Sequence, residues 1–413
     1  MWIDRFRIQG FKSISDLTVE GLTDINVFFG LNNVGKSNIF QAIELWHWLL
    51  NFGSRVPRTG IQPVKYSIPL DKLENKFGSA LVRLGTEDCI YLQVELMGDG
   101  TTLVYENERL TINITLKLLE DQAQCEVESL IEPKNRLVNL PFEQLVSALP
   151  KFHVVHATRR LQSESRLKRD EADPRRDLVD SINDLNLKRA IFYAYLSSDM
   201  EQKKRVNAIK QILADIFGFG ELDIALGPRT ERINIGFIRP DGRLPIENLG
   251  TGAQQLLLVL GQIFLNDYPV IAVEEPEMNL SPQYQEHLMV ALRKLMEDPA
   301  VKLSQLFIST HSPYFEFSEN FYDVILDPMV GTQVMRATAE KHSQYFSVNP
   351  IGPDSGARLN SLNQVKLYDG LIQDLALQRG DLVIFVRNDA GRWEIRPAEE
   401  LAHELQAITN GKG

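Results

Sequence analysis

The sequence predicts an α/β fold: a mixed central sheet, a flanking antiparallel sheet and a short inserted helical arm. Three observations carry this expectation. Short apolar, β-rich runs at 25–29, 269–273 and 305–310 each lead into glycine, acidic residues or histidine, as buried parallel strands do where they emerge at a site. Residues 80–127 alternate apolar and polar positions between turn signals, which is the pattern of antiparallel strands. Residues 177–217 carry apolar side chains at helical spacing, from Leu178, Ile182 and Leu185 to Ile209, Ile212 and Ile216.

With 413 residues, 44% of them hydrophobic, the chain is long enough to bury a sizeable core. Charged residues in Met-Trp-Ile-Asp-Arg-Phe-Arg stand where a signal peptide needs an apolar run, and no stretch approaches the roughly 20 apolar residues of a membrane span. A cytoplasmic protein without a membrane partner is expected. Cys89 and Cys125 lack metal-ligand spacing and are too few for a disulfide framework. The net charge of −11 argues against a surface that coats nucleic acid. The balance is uneven, since thirteen Lys/Arg face nine Asp/Glu between Arg159 and Lys210. That segment is the expected surface for any weak DNA binding, against the alternative of a solvated helical face whose charges are paired.

The first element is GLNNVGKSN at 30–38, between the apolar run 25–29 and a helical stretch at 39–46. Gly30, Gly35, Lys36 and Ser37 fit a phosphate-binding loop: the glycines let the backbone of Asn32, Asn33 and Val34 curl and aim its N–H groups at phosphates. Lys36 is expected to reach the outer phosphates and Ser37 to ligate magnesium. The next helix adds its N-terminal dipole to the anion site.

The second element is Glu274-Glu275-Pro276-Glu277 at the end of an apolar run. Two adjacent carboxylates beside a magnesium nucleotide divide the labour: Glu274 orients the metal's water shell and Glu275 accepts a proton from the attacking water. The third is Thr310-His311-Ser312-Pro313, where His311 is placed to bond a terminal phosphate or the attacking water. The fourth, Asn248-Leu249-Gly250-Thr251-Gly252, opens an apolar helix and forms a second candidate anion site. One nucleotide rarely needs two such sites, so the second is expected to cap a nucleotide held by another subunit.

In this order the four elements resemble the ATP-binding-cassette (ABC) class of ATPases, in its RecF, SMC and OLD branch. Asn32 and Asn38 in the loop, Phe11-Lys12-Ser13 before it, the run 274–277 followed by Asn279-Leu280-Ser281-Pro282, and 310–313 all look like that branch. The resemblance covers residues 1–50 and 240–320. It implies an ABC-type ATPase head with ATP and Mg2+ as nucleotide and metal. Lys12, Ser13 and Asn38 join the nucleotide-binding set; Lys36, Glu275 and His311 serve catalysis; Ser37 and Glu274 hold the metal. It also implies an ATP-dependent head-to-tail dimer or higher oligomer in which Asn248, Gly250, Thr251 and Gly252 act in trans, although the family's usual signature serine falls at Gly250. The family uses a glutamine between its first lobe and helical part, and Gln62, Gln93, Gln122 and Gln124 are the candidates.

The expected organisation is an N-terminal ATPase lobe at 1–158, a helical arm at 159–230, a C-terminal ATPase lobe at 231–335 and an extension at 336–413 suited to partner docking. After Pro313, a strand near Tyr322 to Leu326 precedes an apolar helix near 364–377, a hairpin with arms 382–387 and 392–396, and a helix at 398–408. No heptad repeat sustains a long coiled coil, and nothing after Pro313 resembles the C-terminal nuclease domain of OLD proteins. The sequence therefore resembles the ATPase subunits of prokaryotic anti-phage defence systems, nucleotide-gated clamps controlling a separately encoded effector such as a nuclease. The alternative is a RecF-like DNA repair ATPase that loads on DNA ends or gaps.

Overall fold

The computed structural model describes residues 1–56, 63–82, 88–98, 108–132, 136–138, 140–157, 186–227, 232–266, 268–298, 301–312, 315, 320–336, 383–387 and 393–397. They belong to two compact units, Met1–Ala337 and Thr338–Gly413.

The first unit begins with β1 (Trp2–Phe11), β2 (Ile14–Glu20), β3 (Ile25–Phe29) and α1 (Lys36–Ser54). β4 (Val64–Pro69), α2 (Leu70–Phe77), β5 (Cys89–Met97), β6 (Arg109–Leu118), β7 (Gln122–Glu132), β8 (Arg136–Leu137), α3 (Phe142–Ala148) and β9 (Phe152–Val155) follow. A helical pair, α4 (Leu187–Leu196) and α5 (Met200–Gln211), leads through a π-helical turn to β10 (Glu221–Leu226), β11 (Ile233–Arg239) and β12 (Gly242–Pro245). The unit ends with α6 (Thr251–Leu265), β13 (Val270–Glu274), α7 (Pro282–Glu297), β14 (Gln305–Thr310), β15 (Asn320–Asp327) and β16 (Gly331–Arg336).

Among the described residues thirteen strands form one mixed sheet in the order β4-β7-β6-β5-β1-β2-β16-β15-β3-β14-β13-β9, with β8 on β7. From β15 to β9 every neighbour is parallel. From β15 back through β16 to β4 every pair is antiparallel. β10, β11 and β12 make a separate antiparallel sheet.

The parallel strands are mostly apolar because both faces are covered, and alternate residues serve opposite cores. On β13, Val270 and Ala272 join a core with α1 and the antiparallel strands, whereas Ile271 and Val273 join one with α4, α5, α6 and α7. β14 repeats the division, with Phe307 on the first side and Leu306 and Ile308 on the second. Phe28 of β3 stacks on Tyr322 of β15 at 5.0 Å between ring centroids, which locks the loop-bearing strand to its C-terminal neighbour.

Parallel register then places the sequence motifs together. Thr310 pairs with Phe29 and Glu274 with Ser309, so β3, β13 and β14 end at one carboxyl edge. In the second unit, β17 (Val383–Arg387) pairs with β18 (Trp393–Pro397) as an antiparallel hairpin, as its sequence predicts. The basic positions between 159 and 169, and the helices expected at 364–377 and 398–408, lie outside the described residues.

Candidate functional site

The loop after β3 turns on backbone that ordinary side chains avoid. Asn33 has φ 65° and Gly35 has φ 97°. A Cβ on Gly35 would also lie 2.1 Å from Thr332 Oγ1, so conformation and space both require glycine. Gly35 is the N-cap of α1 and contributes no capping side chain, and the helix's first turn carries no acidic residue. Its leading N–H groups therefore face the loop without a side-chain cap, the arrangement an anion exploits.

Lys36 is buried, and its ammonium donates to the carbonyls of Gly30 at 2.7 Å and Leu31 at 2.8 Å. Burial lowers its pKa, opposed by the charges of Glu275 and Glu277. The loop thus holds a cation across its own mouth with two neutral oxygens. Phosphate oxygens, being charged acceptors, would hold it more strongly.

The carboxylates fall into three different environments. Glu274, 4% exposed, receives the Ala157 N–H at 3.2 Å and lies 3.3 Å from His156 Nδ1. Burial opposes its ionisation, but His156, the Ser37 hydroxyl and the Ala157 N–H outweigh burial and hold its pKa below the ordinary carboxylate value. An ionised carboxylate and a hydroxyl standing together form the hard-oxygen pair that Mg2+ takes alongside phosphates, so these residues fit that metal.

Glu275 sits at φ 41° and is only partly buried, with its N–H bonded to Ser309 O at 2.8 Å. Glu277 is 3% exposed, and its Oε1 accepts from Thr310 Oγ1 at 2.6 Å and from the His311 N–H at 3.0 Å. His311 Nδ1 lies 3.4 Å from that oxygen and 3.7 Å from Glu275 Oε1. Thr310, Ser312 and Gln285 continue the network, with the Ser312 hydroxyl 2.6 Å from Gln285 Oε1. The imidazole is therefore fixed on one side by carboxylates while nearly half its side-chain surface stays accessible.

The structure brings together Gly30, Asn32, Asn33, Val34, Gly35, Lys36, Ser37, Glu274, Glu275 and His311 at one sheet edge. Asn38 and Ser13 bond each other at 2.7 Å and brace the loop from behind. Lys12 turns elsewhere: its ammonium bonds Gln41 Oε1 at 2.6 Å and Phe77 O at 2.7 Å. Gly250 and Thr251 are exposed at the start of α6, preceded by Asn248 in a short 3-10 turn. A Cβ on Gly252 would lie 2.8 Å from Asn279 O, so this helix start packs directly on the loop following β13.

Of the candidate glutamines, Gln93 lies on β5 and Gln122 and Gln124 on β7, in the antiparallel half, while Gln62 is outside the described residues. The side chain beside Glu274 at the end of β9 is instead His156, whose pKa is raised by its hydrogen bond to Glu274. Sequence reasoning missed His156, the anchoring role of Glu277, and Thr332. Only Glu277 carried a signal, as part of the acidic run.

Residues 153–315 match the AAA ATPase domain family. Over 133 residues, 32% of this chain and 16% of the relative, the chain is 29% identical to an uncharacterized protein of Methanocaldococcus jannaschii. It is 27% identical over 131 residues, 32% of each protein, to an ATP/GTP phosphatase of Helicobacter pylori. The matched region thus spans a third or less of the length of these curated relatives. Among solved structures, an Smc head bound to the C-terminal winged-helix domain of ScpA superposes with TM-score 0.51 at 13% identity, covering 83% of this chain and 100% of that one. The Pyrococcus furiosus Smc head with an extended coiled coil gives TM-score 0.51 at 12% identity, covering 84% and 98%. The fold is that of an SMC head domain, with a large mixed sheet and a small separate antiparallel sheet.

Proposed function

We propose that the chain binds ATP with Mg2+ and hydrolyses it to ADP and phosphate. The observation that carries this reading is the convergence of Lys36, Ser37, Glu274, Glu275 and His311 on one sheet edge, with an uncapped helix N-terminus beside them. The loop N–H groups and Lys36 bind the phosphates. Bound magnesium would offset phosphate charge, held by Ser37 and Glu274. Glu275 takes the proton of the attacking water, and His311, oriented by Glu277, donates to the terminal phosphate from its accessible side.

The exposed N-terminus of α6, with Gly250 and Thr251, supports a head-to-tail dimer in which this segment meets the phosphate bound to the partner. On that reading the chain is a nucleotide-gated clamp that controls a separately encoded effector, a nuclease in anti-phage defence being the preferred one. A RecF-like role on DNA is the second reading, favoured by the excess of Lys and Arg between 159 and 210.

The deciding experiment measures ATP turnover and sedimentation of the full chain and of Glu275→Gln. The variant should bind ATP, turn over at about one hundredth of the native rate or less, and accumulate as a dimer. Native turnover by Glu275→Gln would overturn the assignment of the base.

A further inference from the structure

The β15–β16 hairpin enters the loop's polar framework through Thr332, about three hundred residues away in sequence. Thr332 is fully buried, and its hydroxyl donates to Val34 O at 2.9 Å. That hydroxyl has one hydrogen, so the 2.7 Å hydrogen bond with Ser13 Oγ must be donated by Ser13. Ser13 Oγ in turn accepts from Asn38 Nδ2 at 2.7 Å. The Thr332 N–H bonds Ser13 O at 3.0 Å and fixes the hydroxyl's carrier. The result is a one-way relay from Asn38 through Ser13 and Thr332 to the carbonyl of Val34.

The end of that relay matters because a trans peptide is planar, with its N–H directed opposite its C=O. Pinning the Val34 carbonyl toward Thr332 therefore aims the Gly35 N–H the other way. Gly35 at φ 97° has the freest backbone in the loop and would otherwise let this peptide rotate. Its missing Cβ is also what lets Thr332 approach, since that atom would lie 2.1 Å from the hydroxyl and 2.6 Å from Ser13 Oγ.

We infer that Thr332 is a positioning residue for nucleotide binding, holding the Val34–Gly35 peptide so that its N–H stays directed at the phosphates. The inference rests on the phosphate-loop reading above. Without the hydroxyl, the Val34 carbonyl is deprived of its donor and the peptide gains alternative orientations that bind phosphate poorly.

The test titrates ATP, and separately inorganic pyrophosphate, with Mg2+ into the full-length native protein, Thr332→Val, Thr332→Ser, Ser13→Ala and Lys36→Ala, with melting of each apo protein alongside. Thr332→Val should fold and bind both probes about tenfold or more weakly, the cost of removing one hydrogen bond to a buried carbonyl. Thr332→Ser should return to within about threefold of native. Native affinity in Thr332→Val while Lys36→Ala abolishes binding overturns the role of Thr332 and leaves the loop assignment standing. Native affinity in both overturns the loop assignment itself. If Thr332→Val does not fold, Ser13→Ala decides: weakened binding of both probes supports the relay, and native binding refutes it.

Discussion

Acidification from pH 7.5 to 5 should destabilise the first unit through two histidines behind the site. His47 on α1 and His153 on β9 both have pKa values lowered from 6.5 to about 4, chiefly by burial. Nearby Lys76 depresses both, Lys151 adds to the effect at His47, and a hydrogen bond with Gln262 partly offsets it at His153. Nε2 of His153 is buried without a hydrogen-bond partner, so protonation there would create a charge with no acceptor. Between pH 6.5 and 4 the unfolded chain binds protons that the native state refuses, so stability falls as pH falls. Each lowered pKa is worth about 3 kcal/mol below both values and about 2 kcal/mol at pH 5. The pair is coupled, so about 4 kcal/mol is an upper figure for the two. His156 acts oppositely: its raised pKa contributes stability that is fully present below 6.5 and is lost as pH rises through the folded value. It is nearly half exposed and therefore screened, so the buried pair should win. Glu274, with a lowered pKa, keeps its contribution until pH falls below about 4.5. Urea unfolding at both pH values, in the native protein and in His47→Gln/His153→Gln, measures the difference. An identical drop in stability in both proteins would rule out His47 and His153 as its cause.

Lys36→Ala should abolish measurable ATP binding in a titration, because it removes the ammonium the loop holds at its mouth. Glu277→Gln should lower kcat by about tenfold or more with KM for ATP nearly unchanged, since it weakens the support of His311 rather than the grip on the phosphates; a rise in KM alone would contradict that role. Gly35→Ala should lower the melting temperature and ATP affinity together, at a backbone cost of about 1–2 kcal/mol before any clash with Thr332. Reversing the charge of Arg159, Arg160, Arg166, Lys168 and Arg169 should leave DNA-free ATPase activity intact. Every side chain among them that neutralises a DNA phosphate should, once reversed, flatten the salt dependence of DNA binding by about one unit, and an unchanged slope would remove this segment as the nucleic-acid surface.

The strands that bear the motifs were legible because burial on both faces writes itself as continuous apolar sequence. Ile25–Phe29, Val270–Glu274 and Gln305–Thr310 stand where their runs predict them. The candidate phosphate loop was legible because its glycines, lysine and serine are local requirements of such a turn. What could not be read were groups contributed by register. His156 meets Glu274 only because β9 lies parallel to β13, with Val155 opposite Val273. Thr332 meets Val34 only because β16 is threaded beside β2, with Gly331 opposite Ile14. Neither residue type nor spacing announces such a partner, since a threonine in a strand and a histidine at a strand end are ordinary residues. Lys12 shows the converse: its motif drew it toward the nucleotide, but the turn at φ 49° sends its ammonium to α1 and α2.

That turn belongs to a wider pattern. Among the described residues the non-glycine residues with positive φ are Lys12, Asn33, Glu275 and Asn279. Asn33, Glu275 and Asn279 stand in turns at the candidate site: within the loop after β3, at the proposed base, and beneath the start of α6; Lys12 stands in the turn between β1 and β2, with its ammonium directed to α1 and α2. Left-handed backbone on side chains such as lysine and glutamate costs on the order of 1–3 kcal/mol per residue and persists only where surrounding interactions enforce it. Those interactions are visible: the Glu275 N–H is held by Ser309 O, the Lys12 N–H by Leu81 O, and the loop carrying Asn279 by the Leu280 N–H on Glu277 O. Two of the four are asparagine, which tolerates this conformation comparatively well; at Lys12 and Glu275 glycine or asparagine would relieve the strain. At 275 either replacement would remove the carboxylate that β13 presents beside Lys36 and His311. The strain at Glu275 thus falls where the proposed base stands, and it supports the candidate site by an observation separate from the motif.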